Sequence, residues 1–139
     1  MEQLELRMRT RTLAVASAVA VFAIAVLFSA WIQRDRARSV AAAAQLVHGN
    51  PSLGPDKIRK YGCYTCHVIS GVDGAKGLVG PPLAGISGRT YIAGELPNTP
   101  ENITRWIQHP HAIEPHTAMP EMGVTDEDSR DIAAYLYTH

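Results

Sequence analysis

Twenty consecutive positions, Leu13 to Ile32, read LAVASAVAVFAIAVLFSAWI, and only Ser17 and Ser29 interrupt their apolar character. Wound as an α-helix at about 1.5 Å per residue, this run is about 30 Å long, the hydrocarbon thickness of a bilayer. It is expected to cross a membrane rather than to be removed as a secretory signal, whose apolar region usually spans about 7–15 residues before a small-x-small cleavage site. Phe28-Ser29-Ala30 is a poor site of that kind, and Ala41-Ala42-Ala43, which would serve, lies well past the end of the run. Trp31 closes the run where an aromatic ring favours the headgroup level.

The chain is neutral, with 13 basic and 13 acidic side chains over 139 residues, but the balance is uneven. Residues 1–44 carry Arg7, Arg9, Arg11, Arg34, Arg36 and Arg38 against Glu2, Glu5 and Asp35, whereas acidic side chains outnumber basic ones over 45–139. With no basic stripe outside the N-terminal part, a nucleic-acid-binding role is excluded, because such binding rests on clustered cations neutralising phosphates. Three arginines flank the apolar run on each side, so the positive-inside rule alone does not orient it.

The expected organisation is an N-terminal segment 1–12, an anchor 13–32, a linker or stalk 33–53 and a small domain 54–139. The alanine-rich stretch Ala41–Ala44 favours a helical stalk. His48-Gly49-Asn50-Pro51-Ser52 should end it. A domain of this size is marginal without a staple or cofactor. Its large aromatics are Tyr61, Tyr64, Tyr91, Trp106, Tyr135 and Tyr137, since Phe22 and Phe28 belong to the anchor. A bulky apolar cofactor would complete its core.

The two cysteines identify that cofactor. They sit in Cys63-Tyr64-Thr65-Cys66-His67, the C-x-x-C-H pattern of covalently attached haem c. Thiols at i and i+3 of one turn can each add to a vinyl group of the same porphyrin, and the adjacent histidine then falls under the iron. A redox disulfide or half of a zinc site has no need of the histidine, and no second ligand pair at zinc spacing is evident. Haem attachment of this kind takes place outside the cytoplasm, which places residues 1–11 inside and 33–139 outside. The second axial ligand must come from downstream. Met119, followed by Pro120, is the strongest candidate, and its soft, neutral thioether favours ferrous iron. Met122, His109, His111 and His116 are the other candidates.

Here the chain resembles the class I cytochrome c family over nearly all of residues 54–139. Gly80-Pro81-Pro82-Leu83-Ala84-Gly85 is similar to that family's Gly-Pro-x-Leu-x-Gly element. The resemblance implies that the Pro81 carbonyl accepts a hydrogen bond from His67 Nδ1, that Leu83 packs on the porphyrin and that Arg89 faces a haem propionate. A closer resemblance lies in Leu96-Pro97-Asn98-Thr99-Pro100-Glu101-Asn102, Trp106-Ile107 and Met119-Pro120, which are similar to the cytochrome c domain fused to subunit II of bacterial haem-copper oxidases. This chain departs from that plan in having one membrane helix and no copper-binding cysteine pair. The small haem subunit of nitric oxide reductases shares the anchor-plus-domain plan.

Helix signals give the same fold independently. Gly54-Pro55-Asp56 can start a short helix that ends near Tyr61 and delivers Cys63. Thr99 caps a second, with Ile103, Trp106 and Ile107 on one face until Pro110. Thr125 caps a third, with Asp126, Glu127 and Asp128 at its positive end and Ile132, Tyr135 and Leu136 on its apolar face. Trp106 is expected in the core or haem wall. No strand alternation is convincing, so the class is all-α.

With both His67 and Met119 bound, iron has no open position, and one-electron transfer is the expected role rather than catalysis. The expected setting is the bacterial cytoplasmic membrane, with the haem domain in the periplasm. The expected acceptor is a haem-copper terminal oxidase, and the expected donor is a quinol-oxidising complex or soluble cytochrome. Alternatives are the haem subunit of a nitric oxide reductase-like complex, a sensory or catalytic haem with an open sixth position, and a structural anchor subunit.

Overall fold

The computed structural model describes residues 2–139, which divide by contact into two compact units, one ending at Arg38 and one beginning at Ser39. The first unit lies within a single helix. This helix, α1, runs unbroken over Glu2–Val47, 46 residues or about 69 Å. The charged stretch after Ile32 does not interrupt it, because arginine and alanine are strong helix formers. Within the apolar run the large apolar side chains are mostly exposed, Phe22 being 71% exposed and Leu27 70%. A helix this long and apolar, with its large side chains exposed, suits a hydrocarbon surrounding.

The stalk ends where the Gly-Asn-Pro stretch predicts. His48 takes a left-handed conformation (φ +53°), and the Gly49 N–H donates to the Ala44 carbonyl at 3.1 Å. Asn50 then caps a 3₁₀ turn, Pro51–Leu53, by accepting from the Ser52 N–H. Most of the segment 33–53 is thus helix. Its last turns belong to the second unit, where Ala43 and Val47 are buried. The core therefore draws in residues upstream of 54, because a short domain gains from any apolar side chain it can cover.

The second unit is helical with long connecting loops. Gly54–Lys60 forms α2, Pro100–Gln108 α3, Pro110–Ile113 α4 and Asp126–Leu136 α5. The side chains of Thr99 and Thr125 cap α3 and α5, accepting from the Asn102 and Asp128 N–H groups, each at 3.2 Å. Both helices turn their apolar residues inward: Ile103, Trp106 and Ile107 from α3 meet Ile132, Ala133 and Leu136 from α5, with Ile58 of α2 fully enclosed. Burying an isoleucine of this kind stabilises by about 1.5–3 kcal/mol. The all-α expectation holds, with one addition. Two two-residue strands, β1 (Tyr91–Ile92) and β2 (Leu96–Pro97), pair antiparallel around a tight turn in which Ala93 and Gly94 have positive φ.

Asp128 is more than a helix-start carboxylate. It is 5% exposed, and it accepts from the Tyr61 hydroxyl at 2.6 Å and from the Lys60 ammonium at 2.8 Å, with Lys57 Nζ at 2.5 Å. Hydrogen bonds from Lys57, Lys60 and Tyr61 hold its carboxyl well below the usual carboxylate range. This cluster fastens α2 to α5 just before the chain reaches Cys63. Asp131, also buried, accepts from the Asn50 N–H at 2.7 Å and ties the turn after α1 to the same helix.

Candidate haem site

The tight turn after α2 is what presents the cysteine motif. Gly62 is left-handed (φ +71°) and turns the chain into a 3₁₀ turn, Cys63–Thr65. The Cys66 and His67 N–H groups both donate to the Cys63 carbonyl, at 3.3 and 3.0 Å. One turn thus places Cys63, Cys66 and His67 along a single wall. Burial pushes the Cys63 thiol up, because the thiolate would lose its hydration.

That wall belongs to a cavity of about 330 Å³. The thiols and the His67 ring line one side, and Met119, Pro120 and Met122 also line it. Ile58, Ile103, Trp106, Ile107, Ile132 and Leu136 supply an apolar interior. Trp106 is 9% exposed and lines the cavity from the core side. The lining is largely aliphatic, as a porphyrin face requires, and its polar groups are few.

The His67 ring is held in place. Its Nδ1 lies 2.8 Å from the Pro81 carbonyl, which accepts a hydrogen bond from an N–H there and so leaves the Nε2 lone pair for a metal. Gly80 makes that approach possible, because a Cβ at this position would lie 2.3 Å from His67 Cε1 and 2.6 Å from Nδ1. The Gly80 N–H donates to the Cys66 carbonyl at 2.8 Å, and the Leu83 N–H to the Val68 carbonyl at 2.9 Å. These bonds fold the Gly-Pro-Pro-Leu segment back onto the histidine. Leu83 lines the cavity.

Arg89 also lines the cavity, but its guanidinium donates to the carbonyls of Pro82 and Ala84. In this arrangement it braces the loop that carries Pro81 and Leu83.

Of the sulfur and imidazole candidates for the second axial position, Met119 and Met122 line the cavity, whereas His109, His111 and His116 do not. Two of the histidines hold the methionine loop from outside. The His111 ring Nε2 lies 3.2 Å from the Thr117 carbonyl, and the His111 N–H donates to Glu121 Oε1 at 3.2 Å. Glu121 Oε2 is 3.6 Å from His109 Nδ1. Thr117 and Glu121 stand two residues to either side of Met119, so the loop is gripped on both flanks. The spacing of these residues carried no signal of that grip.

The donor set suits haem c: two thiols for thioether bonds, an oriented imidazole on the same wall, a thioether in the lining and an apolar enclosure. Cys63, Cys66, His67 and Met119 would hold the group, with Pro81, Leu83, Arg89 and Trp106 around it. The family profile described as cytochrome c matches residues 52–139. Over 110 residues the chain is 27% identical to the cytochrome c oxidase subunit 2 of Alkalihalophilus pseudofirmus, a match covering 78% of this chain and 30% of that protein. The chain thus spans less than a third of the length of that relative. No solved structure matches it significantly. A profile match over more than half of the chain, falling on the unit whose cavity ends in the C-x-x-C-H turn, means that this chain belongs to the cytochrome c family, whose haem c is covalently attached and serves electron transfer.

Proposed function

We propose that this protein is a membrane-anchored mono-haem cytochrome c that passes single electrons to a haem-copper terminal oxidase, as mobile carrier or bound subunit. The observation that carries the reading is the similarity to an oxidase subunit 2 over most of this chain. Haem, when bound, supplies the one-electron couple. The protein's part is to hold iron between fixed ligands and to keep water away from it. His67 is oriented by Pro81. Met119 is the second ligand, held in a loop that His111 and Glu121 restrain. The aliphatic walls lower the local dielectric, and a thioether partner raises the potential.

The helix α1 spans the cytoplasmic membrane of a bacterium, with the haem domain on the periplasmic side. Redox partners of this kind meet through small, transient contacts. Sharing a membrane raises their effective concentration, so weak docking suffices. Electrons enter from a quinol-oxidising complex or a soluble cytochrome. The test is reconstitution of the terminal oxidase with and without this chain. Electron entry from the quinol-oxidising complex should be restored by adding it, and an unchanged rate without it would overturn the assignment.

A further inference from the structure

We propose that the face of α1 carrying Trp31, Arg34 and Arg38 binds the headgroup of an anionic phospholipid. The proposal rests on the membrane-anchor reading and adds a ligand to it. Leu27, Trp31, Arg34 and Arg38 follow one another at steps of four, three and four residues, so they lie along one side of the helix. All four are exposed, Leu27 by 70% and Trp31 by 61%. The Phe28 ring stacks on Trp31 with centroids 6.0 Å apart, which makes a flat aromatic ledge at the end of the apolar run.

The order along the face matches the order along a lipid. Leucine meets acyl chain, and the indole of Trp31 sits at the level of the ester groups, where amphipathic rings concentrate. Arg34 and Arg38 stand about 4.5 and 10.5 Å further along the axis, within reach of a phosphate. A guanidinium presents two parallel donors that fit two phosphate oxygens.

Charge selects the lipid. The flank 33–38 holds Arg34, Arg36 and Arg38 against the single carboxylate of Asp35. Two guanidinium groups on one face complement a headgroup with net negative charge, such as phosphatidylglycerol. A zwitterionic headgroup adds a cation that they repel. In the proposed orientation this flank crosses the membrane, and arginines on a translocated flank oppose insertion. Here they equal in number those on the retained flank. A headgroup bound after insertion offsets that cost.

The test uses the full haem-loaded chain in vesicles of phosphatidylcholine and phosphatidylglycerol, with one of the two lipids brominated in turn. Trp31 is the reporter, because bromine quenches an indole it touches. Phosphatidylglycerol should behave as if enriched about three- to tenfold around Trp31, given the attraction of each arginine to an anionic surface. The Arg34→Gln/Arg38→Gln variant should bring that ratio close to one, while Arg7→Gln/Arg9→Gln should leave it unchanged. Equal quenching by both lipids in the unaltered chain, or a ratio untouched by the Arg34/Arg38 variant, overturns the proposal and leaves the anchor standing. A preference removed by millimolar inorganic phosphate would make the stripe a free-anion site and overturn the lipid assignment. Failure of the chain to float with vesicles of any composition overturns the anchor and this proposal together.

Discussion

Replacing Asp128 by asparagine tests how the haem domain is assembled, because the substitution keeps the side-chain volume while removing the charge and one of the two acceptor oxygens. Three donors converge on this carboxylate: Tyr61 Oη at 2.6 Å, Lys57 Nζ at 2.5 Å and Lys60 Nζ at 2.8 Å. Tyr61 and Asp128 are both buried, and a buried hydrogen bond to a charged group contributes about 1.5–3 kcal/mol. The side chain of Lys60 is 56% exposed, so solvent screens its pair and it adds little. The expected loss is therefore about 1.5–3 kcal/mol, and Tm should fall by at least about 6 °C. Chemical unfolding followed by far-ultraviolet circular dichroism gives the first quantity, and thermal unfolding the second. The pH dependence is the sharper test. The Asp128 carboxyl lies lower in the folded chain than its ordinary value, so the unfolded state takes up the proton first as pH falls. Stability from this group is complete above about pH 5 and is lost toward the folded value, whereas Asp128→Asn lacks that slope. The two curves should converge as the solution becomes strongly acidic. A variant within about 0.5 kcal/mol of the unaltered protein at pH 7, or one with an unchanged pH slope, would refute the argument.

Met119→Ala should open the sixth position, so that the ferrous protein binds carbon monoxide and the midpoint potential falls, while Met122→Ala leaves both unchanged; absorption spectroscopy and a redox titration separate the two. Gly80→Ala should drive the His67 ring off its Pro81 hydrogen bond, since the added Cβ falls 2.3 Å from Cε1, and the ferric spectrum should shift toward high spin. His111→Ala removes the ring contact to the Thr117 carbonyl and should increase the carbon monoxide-reactive fraction about three- to tenfold, matching a bond of about 1 kcal/mol. Electron transfer to the partner should slow only modestly between low and physiological salt, because the tether and apolar contacts, rather than long-range steering, set orientation. Stopped-flow measurement across ionic strength checks this.

What sequence reasoning recovers here is local. Thr99 and Thr125 betray their helices because a cap is a contact between a side chain and a backbone three residues away. The cysteines and His67 are legible because their chemistry demands fixed spacing, and the Pro81 contact because the family resemblance carries it. The Asp128 cluster was hidden. Its carboxylate looks like any acidic residue at a helix start, and Tyr61 lies 67 positions away. The burial of Ala43 and Val47 was hidden for a related reason, since an alanine-rich stalk reads the same whether or not a domain closes around its last turn. The grip of His111 on the methionine loop depends on a loop conformation that no periodicity encodes.

The phenols near the end of the chain bear on how fast an electron can move. The Tyr135 hydroxyl donates to the Ser70 carbonyl at 2.7 Å, and that of Tyr137 to Asn98 Oδ1 at 2.8 Å. Asn98 Nδ2 in turn donates to the carbonyls of Ile86 and Arg89, and the Gly85 N–H donates to the His139 carbonyl. Helix α5 and the turn beyond it thus pin the loops that carry the Gly-Pro-Pro-Leu segment and the cavity rim. Loops of this kind would otherwise breathe, having few regular backbone bonds of their own. Pinned, they move little when the charge at the cavity changes by one unit, which keeps the reorganisation energy low. Two tyrosines outside the cavity lining should thus bear on the speed of exchange through the loops they hold.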